Sequence, residues 1–99
     1  MAKEIKAVDI LKQTTELVGG NRQIQNGDKI KNHQNIANIW TAYLTNHFGK
    51  ELFIRADMVA DMMELLKVAR RQCGKFNPDD YVDGAGYSAI SCEIRSSHE

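Results

Sequence analysis

Apolar residues recur along this chain at intervals of three and four rather than in alternation, so its periodicity is helical from end to end. From Lys3 to Val18, the residues Ala7, Ile10, Leu11, Thr14, Leu17 and Val18 fall on one side at about 100° per residue. Gly19-Gly20 is expected to end that helix in the left-handed region that glycine enters without a Cβ clash. Asn21 to Lys29 reads as a loop with turn chemistry at Asn26-Gly27-Asp28, and no alternating strands flank it to make a hairpin. A second helix, Ile30 to His47, carries the stripe Ile36, Ile39, Trp40, Tyr43 and Leu44, with Asn38, Thr41 and Thr45 pointing away. Gly49 suits its C-terminus, and Leu52-Phe53-Ile54 reads as a hydrophobic connection plugging one end of a bundle.

The third helix spans Arg55 to Cys73. Met58, Val59, Met62, Met63, Leu65, Leu66 and Ala69 sweep a broad arc expected to be buried, while Asp57, Asp61 and Glu64 share a stripe expected on the opposite side. Gly74 closes it. The fourth helix, Pro78 to Ser96, has the clearest start: Asn77 as N-cap, Pro78 in the first turn, and Asp79 and Asp80 at the positive end of the helix dipole. Its small-sided first half (Gly84, Ala85, Gly86, Ser88, Ala89) permits close approach of another helix or a ligand. The pattern therefore predicts an all-α, compact four-helix domain of 99 residues, with the third helix at its centre. A core this small makes a homodimer the expected assembly.

Composition narrows the function classes. Thirteen basic and thirteen acidic side chains cancel, which removes any overall bias toward nucleic acid or an anionic membrane. A 42% apolar content with one proline predicts an ordered chain. The N-terminus lacks the apolar run of a signal peptide, and no stretch approaches the roughly 18 apolar residues of a membrane span. Cys73 and Cys92 are expected to be buried, reduced thiols of a cytosolic protein. His33 and His47 read as partly exposed edge residues, and with His98 they supply no metal-ligand spacing. Trp40 reads as core, with a base-stacking platform as the lesser reading. Arg22 is either a solvated arginine or a phosphate contact, and Asn32, on the apolar side of its helix, either locks the preceding loop or faces a wet cleft.

Candidate chemistry concentrates in the last two helices. Asp61-x-x-Glu64 and Asp80-x-x-Asp83 are acid pairs three apart, so two facing helices would offer four carboxylates to one cation. Mg²⁺ takes such hard oxygen ligands while leaving positions for water and phosphate. It would polarise a phosphoryl oxygen and generate the attacking hydroxide, with Glu64 and Asp83 catalytic and Lys67 and Arg70 holding the leaving phosphates. The plainer alternative leaves Asp61 and Glu64 facing water, Asp79 and Asp80 serving the helix N-terminus, and Lys67 and Arg70 paired with Asp83 or Asp79. The acid layout resembles the E-x-x-E…E-x-x-D signature of the MazG-like all-α nucleotide pyrophosphohydrolases, with Asp61 and Asp80 in place of glutamates.

A second resemblance runs from Leu17 to Ile94. The order Gly20-Asn21-Arg22, Gly27-Asp28, Asn35-Ile36-Ala37-x-x-Trp40, Met62-Met63-x-Leu65-Leu66-Lys67-x-Ala69-Arg70 and Asp79-x-x-x-Asp83-x-x-Gly86-Tyr87 is similar to a small uncharacterised helical domain encoded by phages and prophages. That resemblance implies Arg22, Asp28, Lys67, Arg70, Asp83 and Tyr87 as functional positions, and a place in the cytoplasm of a bacterial host. Together the two point to a phage-type nucleotide-binding protein of the Mg²⁺-dependent pyrophosphohydrolase kind. The alternative is a non-enzymatic accessory protein that binds a host or defence protein, or sequesters a nucleotide.

Overall fold

The computed structural model describes residues 4–20 and 28–98. It contains four α-helices, α1 (Ala7–Gly19), α2 (Lys29–Phe48), α3 (Ala56–Arg71) and α4 (Pro78–Ser96), and no strand among the described residues. Local chemistry sets their ends. Asp9 accepts the Lys6 N–H at 3.1 Å ahead of α1. Asp28 caps α2, its Oδ1 accepting from the N–H groups of Ile30 and Lys31 at 2.9 and 3.4 Å. Asn77 caps α4 through the Asp79 N–H at 3.1 Å. Gly49, at φ 67°, ends α2 in the left-handed conformation expected of it. Gly20 differs: its φ of −97° is extended, and glycine is needed there because a Cβ would run into the Glu16 carbonyl.

The helices form a layer in the order α1, α4, α3, α2. The largest contact is between α3 and α4, α1 packs on α4, and α2 packs on α3. This makes α4, rather than α3, the element that touches every other helix. Small residues on α4 allow this. Gly84 faces α3, where a Cβ would lie 3.7 Å from that of Lys67, and Gly86 faces α1, where one would lie 3.4 Å from Val18 Cγ2. Thr14, buried on α1, donates to the carbonyls of Ile10 (2.8 Å) and Val82 (3.2 Å), fastening the two helices. The small side chains thus serve helix packing on both flanks. The apolar core is correspondingly modest: Ala37, Ala56, Val59, Ala60, Val82 and Ile94.

Several positions differ from expectation. On α3 the helix is turned so that Ala56, Asp57, Val59 and Ala60 face inward, while Met62, Leu65, Leu66 and Ala69 lie exposed. Asp57 lies within the buried arc, paired with Arg55 and approached by Arg95 of α4, and Asp61 at its edge accepts from Ser91 of α4. On α2, Ile39 and Tyr43 are exposed and Trp40 is only half-buried, since α2 packs chiefly on α3 and only lightly on α4. Asn32 is exposed rather than on a buried face. Cys73 and Cys92 are free but exposed, not buried. His33 is buried rather than at an edge; its Nδ1 donates to the Lys29 carbonyl at 2.7 Å, and its ring meets Tyr87 edge-on at 6.1 Å.

Thr41 and Thr45 do not face solvent idly. Each takes a place in the connection from α2 to α3. Thr45 Oγ1 accepts from the Leu52 N–H and donates to its carbonyl, both at 3.3 Å. Thr41 Oγ1 accepts from the Ile54 N–H at 2.9 Å and donates to its carbonyl at 3.3 Å. Residues 52–54 are therefore an extended segment pinned along α2, with Phe53 turned outward. Thr41→Val keeps the side-chain shape and leaves the Ile54 N–H and C=O without these partners. It is expected to lower the unfolding free energy in urea by about 1–3 kcal/mol. Gly84→Ala meets only ordinary contact, so the same titration should show it neutral, or stabilised by up to about 1 kcal/mol through helix propensity.

Candidate functional site

The α3–α4 seam brings most of the sequence-derived candidates together, in a specific order. The two helices run antiparallel, so Asp61 accepts a hydrogen bond from Ser91 at 2.5 Å, Lys67 meets Asp83 at 3.2 Å, and Arg70 meets Asp80 at 3.6 Å. Beyond them Arg71 lies 4.4 Å over the Tyr81 ring. The Lys67 side chain is only 14% exposed and that of Asp80 only 7%. Partly buried pairs of this kind cost more to break than exposed ones, because the partner left behind loses its compensation.

This register separates the acid quartet. Asp61 lies level with Ser91, whereas Asp80 lies level with Arg70, nine residues further along α3. With roughly 1.5 Å of rise per residue, the two ends are about 14 Å apart along the seam. Glu64 and Asp83 sit within one turn of Lys67, and it is the Lys67 ammonium that faces Asp83. No group of three or more His, Cys, Asp or Glu side chains is placed to hold a metal ion among the described residues. The four acids do not fit one shared Mg²⁺ in this arrangement.

The remaining candidates have identifiable neighbours. Asp28 is engaged as the α2 cap, Asp79 is exposed in the first turn of α4, and Tyr87 is half-buried against His33. Asn32 lies on the exposed surface of the first turns of α2, and Arg22 falls outside the described residues.

A concave site lies at the other end of the seam. A cavity of about 480 Å³ is lined by Gln34, Phe53, Arg55, Ala56, Asp57, Arg95 and His98. Asp57 organises it. Its carboxylate, 6% exposed, accepts from Arg55 Nε at 3.0 Å and from Arg55 Nη2 at 3.2 Å, and Arg95 Nη1 lies 3.9 Å away. Both guanidinium groups are themselves more than half exposed. The hydrogen bonds from Arg55 hold the Asp57 carboxyl below its ordinary range, against the opposing effect of burial, and Arg95 adds to the lowering. Arg55 is in turn raised by its hydrogen bonds to Asp57.

Of the lining residues, Asp57 alone belongs to the acid stripe read from the sequence. Arg55 and Arg95 lie far apart in sequence on separate helices, and Phe53 reads as core plug until its backbone is seen pinned to α2. One signal was present: Arg55-x-Asp57 at a helix start sets a cation beside an acid within reach of a bidentate pair.

A family model described as a domain of unknown function (DUF6378) matches residues 9–95. The Gene 55 protein of Mycobacterium phage L5 is 35% identical over 83 residues, which cover 84% of this chain and 50% of that protein. The chain thus spans half the length of this relative. No solved structure matches. The phage resemblance in the sequence pattern is supported by these matches; the pyrophosphohydrolase resemblance rests on acid spacing alone. No described helix is long and apolar enough to cross a membrane.

The lowered Asp57 carboxyl has a definite acid consequence. A carboxylate held below its unfolded value stabilises the fold above the ordinary aspartate range, about pH 4, and loses that contribution as pH falls through its folded value. Asp57→Asn is expected to be less stable than the parent at pH 7, with the gap narrowing below about pH 4. Urea titrations from pH 7 to pH 2 measure it.

Proposed function

The chain belongs to the DUF6378 family, and we propose that it is a phage-type binding protein for a nucleotide, held in the cavity between Arg55 and Arg95. One observation carries the proposal: two half-exposed guanidinium groups converge on a single buried carboxylate at a cavity of about 480 Å³. That volume falls in the range of about 300–1,000 Å³ typical of small-molecule sites. Two cations against one acid leave the lining net positive, which favours an anionic ligand. A guanidinium fork can donate to two phosphate oxygens at once. Because Asp57 already fixes the Arg55 fork, less side-chain freedom is lost when a phosphate arrives.

Phe53 supplies the second half of a nucleotide's requirements. Its ring is among the most exposed apolar side chains of the molecule and borders the same cavity. An aromatic face beside a cationic pair suits a base on one side and phosphate on the other. Binding of this kind calls for no divalent ion. Mg²⁺-dependent pyrophosphate hydrolysis, the reading drawn from the acid spacing, would instead have to draw on Glu64 and Asp83 near Lys67.

The non-enzymatic accessory reading, in which the chain binds a host or defence protein, is favoured by a different observation, the uncovered apolar face of α3.

Calorimetric titration with a panel of nucleoside mono-, di- and triphosphates, with and without Mg²⁺, separates these readings. Binding is expected without Mg²⁺, weakened tenfold or more by Arg55→Ala and by Arg95→Ala, and retained in Asp61→Asn. Chromatography of the incubated nucleotides tests for turnover. Unchanged affinity in both arginine variants, or no heat with any nucleotide, overturns the cavity assignment.

A further inference from the structure

Arg55 and Arg95 address the same atom. Arg55 Nη2 donates to Asp57 Oδ2 at 3.2 Å, and Arg95 Nη1 lies 3.9 Å from that oxygen. Together these distances place the two nitrogens no more than about 7 Å apart. Charge-assisted bonds from nitrogen to phosphate oxygen run to about 2.7–2.9 Å, so two of them, made to different oxygens on one phosphorus, cover that span. Arg55 directs its Nε hydrogen and one Nη2 hydrogen to Asp57, which leaves both Nη1 hydrogens for a ligand. The Asp57 carboxylate is 6% exposed, so it holds the cations in position while offering a ligand almost no negative surface. Ala56, the first residue of α3, lines the same cavity, and the positive end of that helix dipole adds to the attraction there.

Phe53 sets how far the rest of the ligand extends. In the extended segment that leads into α3, Phe53 and Arg55 stand two residues apart, about 6–7 Å, and on one side of the chain. Both border the cavity. A base stacked on Phe53 therefore brings to the guanidinium pair the phosphate joined directly to its ribose. A terminal phosphate two links further along lies beyond that reach. The cations also stop there. Among the described residues lining the cavity, Gln34, Phe53 and Ala56 are uncharged, and His98 is the one group besides the two arginines that can become positive. A second or third phosphate adds negative charge and meets no further arginine or lysine in the lining.

We infer that the cavity selects nucleoside monophosphates over the corresponding di- and triphosphates, with Arg55 and Arg95 closing on a single phosphate and the base lying against Phe53. The inference rests on the nucleotide reading above and narrows it to one class of ligand.

Calorimetric titration of the whole chain tests it, run without Mg²⁺ so that no metal offsets the phosphate charge. The ligands are the mono-, di- and triphosphates of each of the common nucleosides, the nucleosides alone, and inorganic phosphate. The best-bound monophosphate is expected to bind about fivefold or more tighter than its own triphosphate, and tighter than either its nucleoside or inorganic phosphate. Arg95→Ala is expected to bring the mono- and triphosphate affinities within about twofold of each other, because one guanidinium no longer distinguishes a single phosphate from a chain. Phe53→Ala is expected to reduce the monophosphate's advantage over inorganic phosphate. Equal or tighter binding of the triphosphate overturns this inference and leaves the nucleotide reading standing, as does a monophosphate preference that survives Arg95→Ala. Inorganic phosphate binding as tightly as every nucleotide overturns it too, by making the cavity a plain phosphate site. No heat with any nucleotide overturns both readings. If Arg95→Ala loses helical circular dichroism, Arg95→Gln decides.

Discussion

The close antiparallel approach of α3 and α4 is the constraint on which the rest of the molecule depends. A side chain no larger than a methyl at position 84 lets the α4 backbone pack beside Lys67 Cβ, and that proximity sets which charges meet. With the helices this near, Lys67 reaches Asp83, Arg70 reaches Asp80 and Ser91 reaches Asp61 without leaving the seam. The same approach carries Arg95 to Asp57 at the far end. A larger residue turned into the seam would separate these pairs together, because they share one register.

The helices and their ends were legible in the chain because local chemistry dictates them. Asn77-Pro78 and Asp28 act through their own side chains on the next turn, and Gly49 through its own backbone. Which face of α3 turns inward was not legible. Its apolar residues cover more than half the circumference, so periodicity alone leaves two candidate faces. The choice is made by α4, which offers Ser91 and Asp83 to the acidic and basic positions and so draws that side in. The exposed thiols follow from an open layer, which buries fewer positions than a closed bundle would, whereas His33 is buried where α2 meets Tyr87 of α4.

The candidate site divides along similar lines. Residues close in sequence, such as Lys67 and Arg70, could be recognised as a cationic pair, and the structure shows them occupied by Asp83 and Asp80. The cavity was hidden because its two arginines come from the beginning of one helix and the end of another. Only the antiparallel pairing brings Arg55 and Arg95 to one carboxylate. Acids at regular helical spacing suggest convergence, yet opposite chain directions spread Asp61 and Asp80 to the two ends of a common line.

The threonine-pinned connection ties the cavity's geometry to the exact length of the chain. In residues 52–54 successive side chains alternate in burial, Leu52 and Ile54 half-buried and Phe53 outward, while the main-chain groups of Leu52 and Ile54 bond to Thr45 and Thr41 of α2. Adding or removing a single residue there would slip that alternation by one step, turn the aromatic ring inward, and displace the start of α3 that carries Arg55. Aromatic surface and guanidinium are thus under joint length control, so natural variation in this segment would be confined to substitutions, or to compensated changes that restore the phase.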